Sequence, residues 1–164
     1  MTSSPGSVSD MNADPRANAS SAFELFDPRI QKWIWRQGWE ALRDIQELAA
    51  GPILRGDTDV VIASATASGK TEAAYFPICT RIVGIPGGLK VLAISPLKAL
   101  INDQFSRLSD LCEPLDLPVF RWHGDVTAGH KKRLLDNPGG ILLITPESLE
   151  ALFINRGPAV PRLF

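Results

Sequence analysis

Cysteine is scarce in this sequence: Cys79 and Cys112 are the two present, and they do not form a CxxC pair. That excludes a disulfide framework and the usual spacings of a zinc site. It leaves two thiols in apolar segments, read as buried and reduced in a cytoplasmic protein. An excess of one charge sign is also missing. With 17 Lys and Arg against 18 Asp and Glu, the formal net charge is −1, so any nucleic-acid site must be local rather than driven by a global basic field. Long hydrophobic runs are absent as well. None approaches the roughly 20 residues that cross a bilayer, and no membrane partner is expected. The first 22 residues, MTSSPGSVSDMNADPRANASSA, lack large apolar side chains and the apolar core of a signal peptide. Such a stretch cannot bury enough surface to offset the entropy of ordering. Residues 1–22 are therefore expected to be a disordered tail, and the Asn18-Ala19-Ser20 sequon carries no weight.

What remains, residues 23–164, has the composition of one globular domain or part of one: across the 164 residues, 45% are hydrophobic and 21% charged. DPRIQKWIWRQ reads as a helix with Asp27 as N-cap and Pro28 at its first position, stopping before Gly38. DIQELAAGPIL reads as a second helix, with Asp44 and Glu47 spaced like a capping box. Strands and helices then alternate. DVVIAS (59–64), KVLAIS, PVFRW and GILLIT are short apolar runs, and each leads into a helical pattern. Strands apolar throughout and followed by helices specify a parallel sheet covered on both faces. The expected class is α/β with four βα units.

The first unit carries chemistry. SATASGKT, residues 64–71, follows a strand and opens a helix, and it fits the phosphate-loop frame GxxxxGK[ST] except that Ser64 stands at the first glycine. Small residues at Thr66, Ala67 and Ser68 let the backbone wrap an anion, and Gly69 allows close approach. N–H groups at the helix start then point at phosphate oxygens. Lys70 reaches the outer phosphates, and the Thr71 hydroxyl is a Mg²⁺ ligand candidate.

The loop ATASGKTEAA resembles motif I of the superfamily-two DEAD/DEAH-box helicases, and other segments extend the resemblance. GWEALRDIQ is similar to the Q motif. There the resemblance implies that Gln46 hydrogen-bonds the adenine edge and that an upstream aromatic, matched by Phe26, stacks on the base; a glutamine amide offers both the donor and the acceptor. Ordinary packing between the first helices is the alternative reading for Phe26 and Trp39, and for Trp39 it weighs as much as function. SPLKAL resembles motif Ia and TPESL motif Ib. Both place Ser or Thr and then Pro at a helix start, with Ser95 and Thr145 as caps. They lie at the carboxyl edge of the strands, where open α/β sheets bind ligands. The resemblance implies a single-strand groove of DNA or RNA lined by Pro96, Leu97, Lys98, Gly124, Thr145, Pro146, Glu147 and Ser148. RWHGDV, with His123 and Asp125, is read as part of that groove or of the structure rather than as a catalytic pair, and HKKR (130–133) as a solvated helical face. SPLKAL, HGD and TPESL together look closest to the large helicase-related (Lhr-like) branch.

The resemblance implies a RecA-like ATP-binding domain, with ATP and Mg²⁺ held by Phe26, Gln46, residues 66–71 and Glu72. It also implies a carboxylate pair, Asp-Glu, to hold the metal and orient water. No Asp in the sequence is followed by Glu. No catalytic residue is therefore assigned, the chain is expected to end before motif II, and neither hydrolysis nor unwinding is expected of it alone. Whether it is itself an enzyme stays open. DVVIAS would lose its pairing partners. Two other readings stand beside this one: a truncated or split-gene product that pairs with a separate polypeptide, and a different phosphate-loop protein such as a small kinase or transporter ATPase.

Overall fold

The computed structural model describes residues 22–164, apart from the side chain of Ala159. The expected tail and its sequon therefore lie, but for Ala22, outside the described residues. Six helices and three strands follow in the order α1 (Pro28–Arg36), α2 (Asp44–Arg55), α3 (Lys70–Ile82), β1 (Gly88–Ile94), α4 (Lys98–Cys112), β2 (Val119–Trp122), α5 (Ala128–Asp136), β3 (Gly139–Ile144) and α6 (Pro146–Arg156). Short 3-10 turns precede α1, follow α4 and close the chain. Among the described residues no helix is long and apolar enough to cross a membrane.

Local chemistry sets most of the boundaries. Asp27 caps α1 by accepting from the Arg29 N–H at 2.9 Å, with Pro28 at the first helical position. For α2 the box is one residue earlier than expected. Gln46 Oε1 accepts from the Arg43 N–H at 2.9 Å, while Glu47 reaches away to take the Ala22 N–H. Thr145 caps α6 through the Ser148 N–H. Ser95 caps nothing: α4 begins at Lys98, after Leu97, and the Ser95 hydroxyl is buried without a partner.

The sheet is parallel, in the order β1-β3-β2. β3 lies in the middle, and its alternation divides the core in two. Ile141 and Leu143 face a cluster with Ile30, Ile34, Phe76 and Ile101; Leu142 and Ile144 face Trp122, Leu134, Leu152 and Leu163. A central strand covered on both faces explains its unbroken apolar run. On the first face, Phe26, Trp33 and Trp39 surround the fully buried Phe76 at centroid distances of 5.6–6.0 Å. Cys79 and Cys112 are buried there with their sulfurs 3.8 Å apart; the contact with Cys112, and then burial, push the Cys79 thiol up.

The expectation of four βα units is corrected to three strands. Residues 59–64 join no strand ladder among the described residues, and Val61 is 91% exposed. β-branched residues favour a strand only where a ladder and a packed face exist. Among the described residues the outer edge of β1 has no neighbouring strand, so the segment runs into the loop without strand partners, as anticipated.

Candidate nucleotide and strand-binding site

The loop between residue 64 and α3 is shaped by two positive-φ residues, Ala67 at 59° and Gly69 at 90°. A left-handed alanine costs energy and persists only where neighbours hold it. Here the hold is explicit: the Arg43 guanidinium donates to the Ala67 carbonyl, and the Ser64 and Ser68 hydroxyls bond to one another. Lys70 turns back onto the same loop, its Nζ donating to the carbonyls of Ser64 at 2.8 Å and Ala65 at 2.6 Å.

These residues wall a cleft of about 530 Å³. Residues 66–72 line it together with Trp39, Arg43, Leu100 and Arg107. Beside it lies a second hollow of about 310 Å³ with Trp33, Trp39, Tyr75 and Leu111 in its wall. Thr71, Glu72, Trp39 and Arg107 border both. Glu72 is engaged by Arg107, which also lies 3.7 Å from Asp103. Burial raises the Tyr75 hydroxyl to about 12, so it remains a neutral phenol.

The expected nucleotide residues divide. Thr66, Ala67, Ser68, Gly69, Lys70, Thr71 and Glu72 come together on the cleft. Phe26 does not: it is 3% exposed and packed edge-on against Phe76, so its ring has no open face. Trp39 is the aromatic that reaches the cleft. Gln46 is fully buried behind the loop, with Nε2 unpartnered and close under Gly69. The sequence reading missed Arg43 and Arg107. Arg43 was legible only through its three-residue spacing from Gln46. Arg107 is brought across by α4, and no local pattern marks it.

The donor set bears on Mg²⁺. Thr71 is half-buried at the cleft, but Glu72 is committed to Arg107. No group of three His, Cys, Asp or Glu side chains among the described residues could hold a metal. The residues fit a cation brought in by phosphates, for which the Thr71 hydroxyl would be the available protein oxygen.

The second expected surface is the carboxyl edge of the sheet. The Ser95 N–H donates to the Ile144 carbonyl and the Thr145 N–H to the Trp122 carbonyl, at 3.0 and 3.3 Å, which draws the three strand ends into one row. Pro96, Leu97, Lys98, Gly124, Pro146 and Glu147 are exposed along this row, and Ser148 is half-buried. Thr145 is buried and occupied with capping, so it sets the α6 N-terminus rather than projecting from it. Lys98 Nζ donates to both carboxylate oxygens of Asp125 at 3.0 and 3.1 Å. That contact holds the Asp125 carboxyl below its usual range. His123 is 3% exposed, with Nε2 3.1 Å from Asn102 Oδ1 and Nδ1 unpartnered. Burial holds the imidazole below its ordinary pKa, which keeps it neutral. α4 links the two surfaces, since Lys98 faces the strand ends and Leu100 and Arg107 face the cleft.

Residues 43–162 match the family model of the DEAD/DEAH box helicases. The chain belongs to that family. Among DEAD/DEAH box helicases it is 31% identical over 147 residues to the ATP-dependent helicase Lhr-Core of Methanothermobacter thermautotrophicus, covering 79% of this chain and 17% of that protein. To the Lhr-Core helicase of Saccharolobus solfataricus it is 32% identical over 143 residues, covering 77% and 16%. The chain thus spans about a sixth of the length of these relatives. The structure of Mycobacterium smegmatis helicase Lhr bound to ssDNA and AMP-PNP superposes with a TM-score of 0.69 at 27% identity, over 86% of this chain and 19% of that one. The DEAD-box helicase Mss116 bound to ssRNA gives a TM-score of 0.72 at 20% identity, a likeness of fold. The α/β RecA-like class is thereby established, and a kinase or transporter fold is set aside.

Proposed function

We propose that this chain forms the nucleotide-contacting part, and one wall of the single-strand groove, of the first RecA-like domain of an ATP-dependent nucleic-acid helicase. The observation that carries this is the cleft itself: residues 66–72, Trp39 and Arg43 line one space of about 530 Å³. In this reading the N–H groups at the start of α3 hold phosphate oxygens. Lys70 exchanges two loop carbonyls for the outer phosphates. Trp39, not Phe26, offers a flat face to the base, and Gln46 acts from behind as a positioning residue for Gly69. Bound Mg²⁺ would supply charge neutralisation on the phosphates, with Thr71 as its protein contact.

The strand ends supply the second half. Exposed N–H groups at the helix starts and the Lys98 ammonium suit a sugar-phosphate backbone without reading sequence. A phosphate has to compete with Asp125 for Lys98, so strand binding should weaken steeply with salt. No Asp-Glu pair is present to activate water, and the 164-residue polypeptide is proposed to bind ATP without turning it over. A phosphate-release assay with single-stranded DNA or RNA tests this. ATP-dependent release abolished by Lys70→Ala would refute it.

A second reading is favoured by one observation. The open edge of β1 and the exposed Val61, Ile94 and Leu97 form a surface that further polypeptide would cover, including a separate chain that completes the helicase. Self-association that rises with concentration supports an uncovered edge, and a monomer at every concentration counts against it.

A further inference from the structure

Arg121 fixes where a buried histidine carries its hydrogen. Its Nη1 donates to Asn102 Oδ1 at 2.7 Å. A guanidinium only donates, so the amide turns its oxygen to this contact. The same oxygen lies 3.1 Å from His123 Nε2. That nitrogen is therefore the N–H of the ring, and in a neutral imidazole Nδ1 is then a bare acceptor. His123 is 3% exposed, and Nδ1 has no hydrogen-bond partner among the described residues. What stands beside it is Asp125 Oδ2, 4.0 Å away. An acceptor is thus set next to a carboxylate, beyond hydrogen-bond reach. A proton on Nδ1 would turn the two into an ion pair.

Burial is the first obstacle to that proton. Four charges also bear on the ring: Asp125, in the loop after β2, favours it, while Arg121 of β2, Lys98 of α4 and Lys131 of α5 oppose it. Two of these cations are seated on aromatic rings. Arg121 lies 4.6 Å from the Phe105 centroid and Lys131 lies 5.7 Å from that of Trp122. Lys98 is different. Its exposed side chain is held by Asp125 alone, through bonds of 3.0 and 3.1 Å to the two carboxylate oxygens, and it stands in the row of strand ends. A phosphate that takes Lys98 acts twice on His123. Asp125 loses its cation, and one of the charges opposing the proton is neutralised. Both changes favour a charged imidazole.

We propose that His123 is a positioning residue of the strand groove: when a backbone phosphate draws Lys98 away, Nδ1 takes a proton from solvent and the imidazolium replaces Lys98 beside the Asp125 carboxylate. The inference rests on the strand-binding reading above and couples that binding to proton uptake. A histidine that holds its proton more tightly in the complex makes strand affinity rise as pH falls between its free and bound values. The limiting gain is about ten-fold for each pH unit that separates them. Burial holds the free imidazole below 6.5, so the interval extends upward from there.

The test is nuclear magnetic resonance of the histidine ring nitrogens in the labelled 164-residue chain, titrated with pH both free and saturated with oligo-dT. The oligonucleotide lacks terminal phosphates, so it does not titrate in the same range. The chain has two histidines, and His130→Gln assigns their signals. Free His123 is expected to carry its hydrogen on Nε2, and binding should raise its midpoint by about half a unit or more. Strand affinity, read by fluorescence anisotropy, should then be about three-fold tighter at the acid end. Asp125→Asn should remove most of the rise. A free ring with its hydrogen on Nδ1 overturns the proposal, and so does a full rise in Asp125→Asn. If the wild-type midpoint stays put or falls while Lys98→Ala still weakens binding, His123 has no part in a groove that stands. If the folded chain binds no oligonucleotide, the groove reading and this one fall together.

Discussion

The Gln46 amide lies directly beneath Gly69: a Cβ built on that glycine would stand 2.7 Å from Gln46 Nε2. Gly69 also holds φ at 90°, so both its backbone and its space demand glycine. Gly69→Ala should cost about 1–3 kcal/mol from the backbone alone. It should also displace the loop that Lys70 and Arg43 steady. Nucleotide titration should show binding lost ahead of the thermal melt. A variant that bound ATP like wild type would show that the loop does not depend on this contact.

Phe26 and Trp39 should separate cleanly. Phe26→Ala empties a buried site beside Phe76 and should lower stability by about 3–5 kcal/mol, read by denaturant titration. Trp39→Ala should weaken ATP by about 1–3 kcal/mol, the worth of base–aromatic stacking, and should leave inorganic triphosphate binding nearly unchanged. Equal losses for ATP and triphosphate would remove Trp39 from the base site.

His123 gives a signed pH dependence. Its imidazole is held below its ordinary value by burial, so the unfolded chain binds the proton more readily and stability rises with pH across that window. The contribution is fully present above the ordinary value of 6.5 and is lost as pH falls below it. His123→Asn should flatten the pH dependence of the unfolding midpoint between about pH 6.5 and the folded value. A slope unchanged by the substitution would place the titrating group elsewhere.

Residues 60–63 lack ladder partners, whereas β3 is buried on both faces. Hydrogen exchange should therefore be fast at Val60–Ala63 and slow at Ile141–Ile144. Strong protection at 60–63 would mean that the segment finds a partner strand in solution.

Some of this was open to reading from the sequence because the signals are local. Asp27-Pro28 starts a helix by capping and fixed φ; Thr145-Pro146 does the same; and GILLIT announces a strand buried on both faces. SATASGKT is legible as the turn that opens α3, because its small residues and Gly69 lie together in eight consecutive positions. The misreadings came from neighbours far along the chain. DVVIAS has strand composition but no strand beside it among the described residues. Phe26 has the spacing of a base platform, but Phe76, fifty residues later, takes its ring into the core. Arg107 meets Glu72 across thirty-five residues through the placement of α4, which no short window contains.

The central claim is that residues 64–71 hold a triphosphate. Calorimetric titration of Mg·ATP into the 164-residue chain, beside Lys70→Ala, tests it most directly. The account predicts saturable one-to-one binding that Lys70→Ala weakens at least about ten-fold, a loss of about 1.4 kcal/mol or more, as expected when a charge-assisted bond to phosphate is removed. Heats indistinguishable from dilution in the folded wild-type chain, or equal affinity in the two proteins, would contradict it.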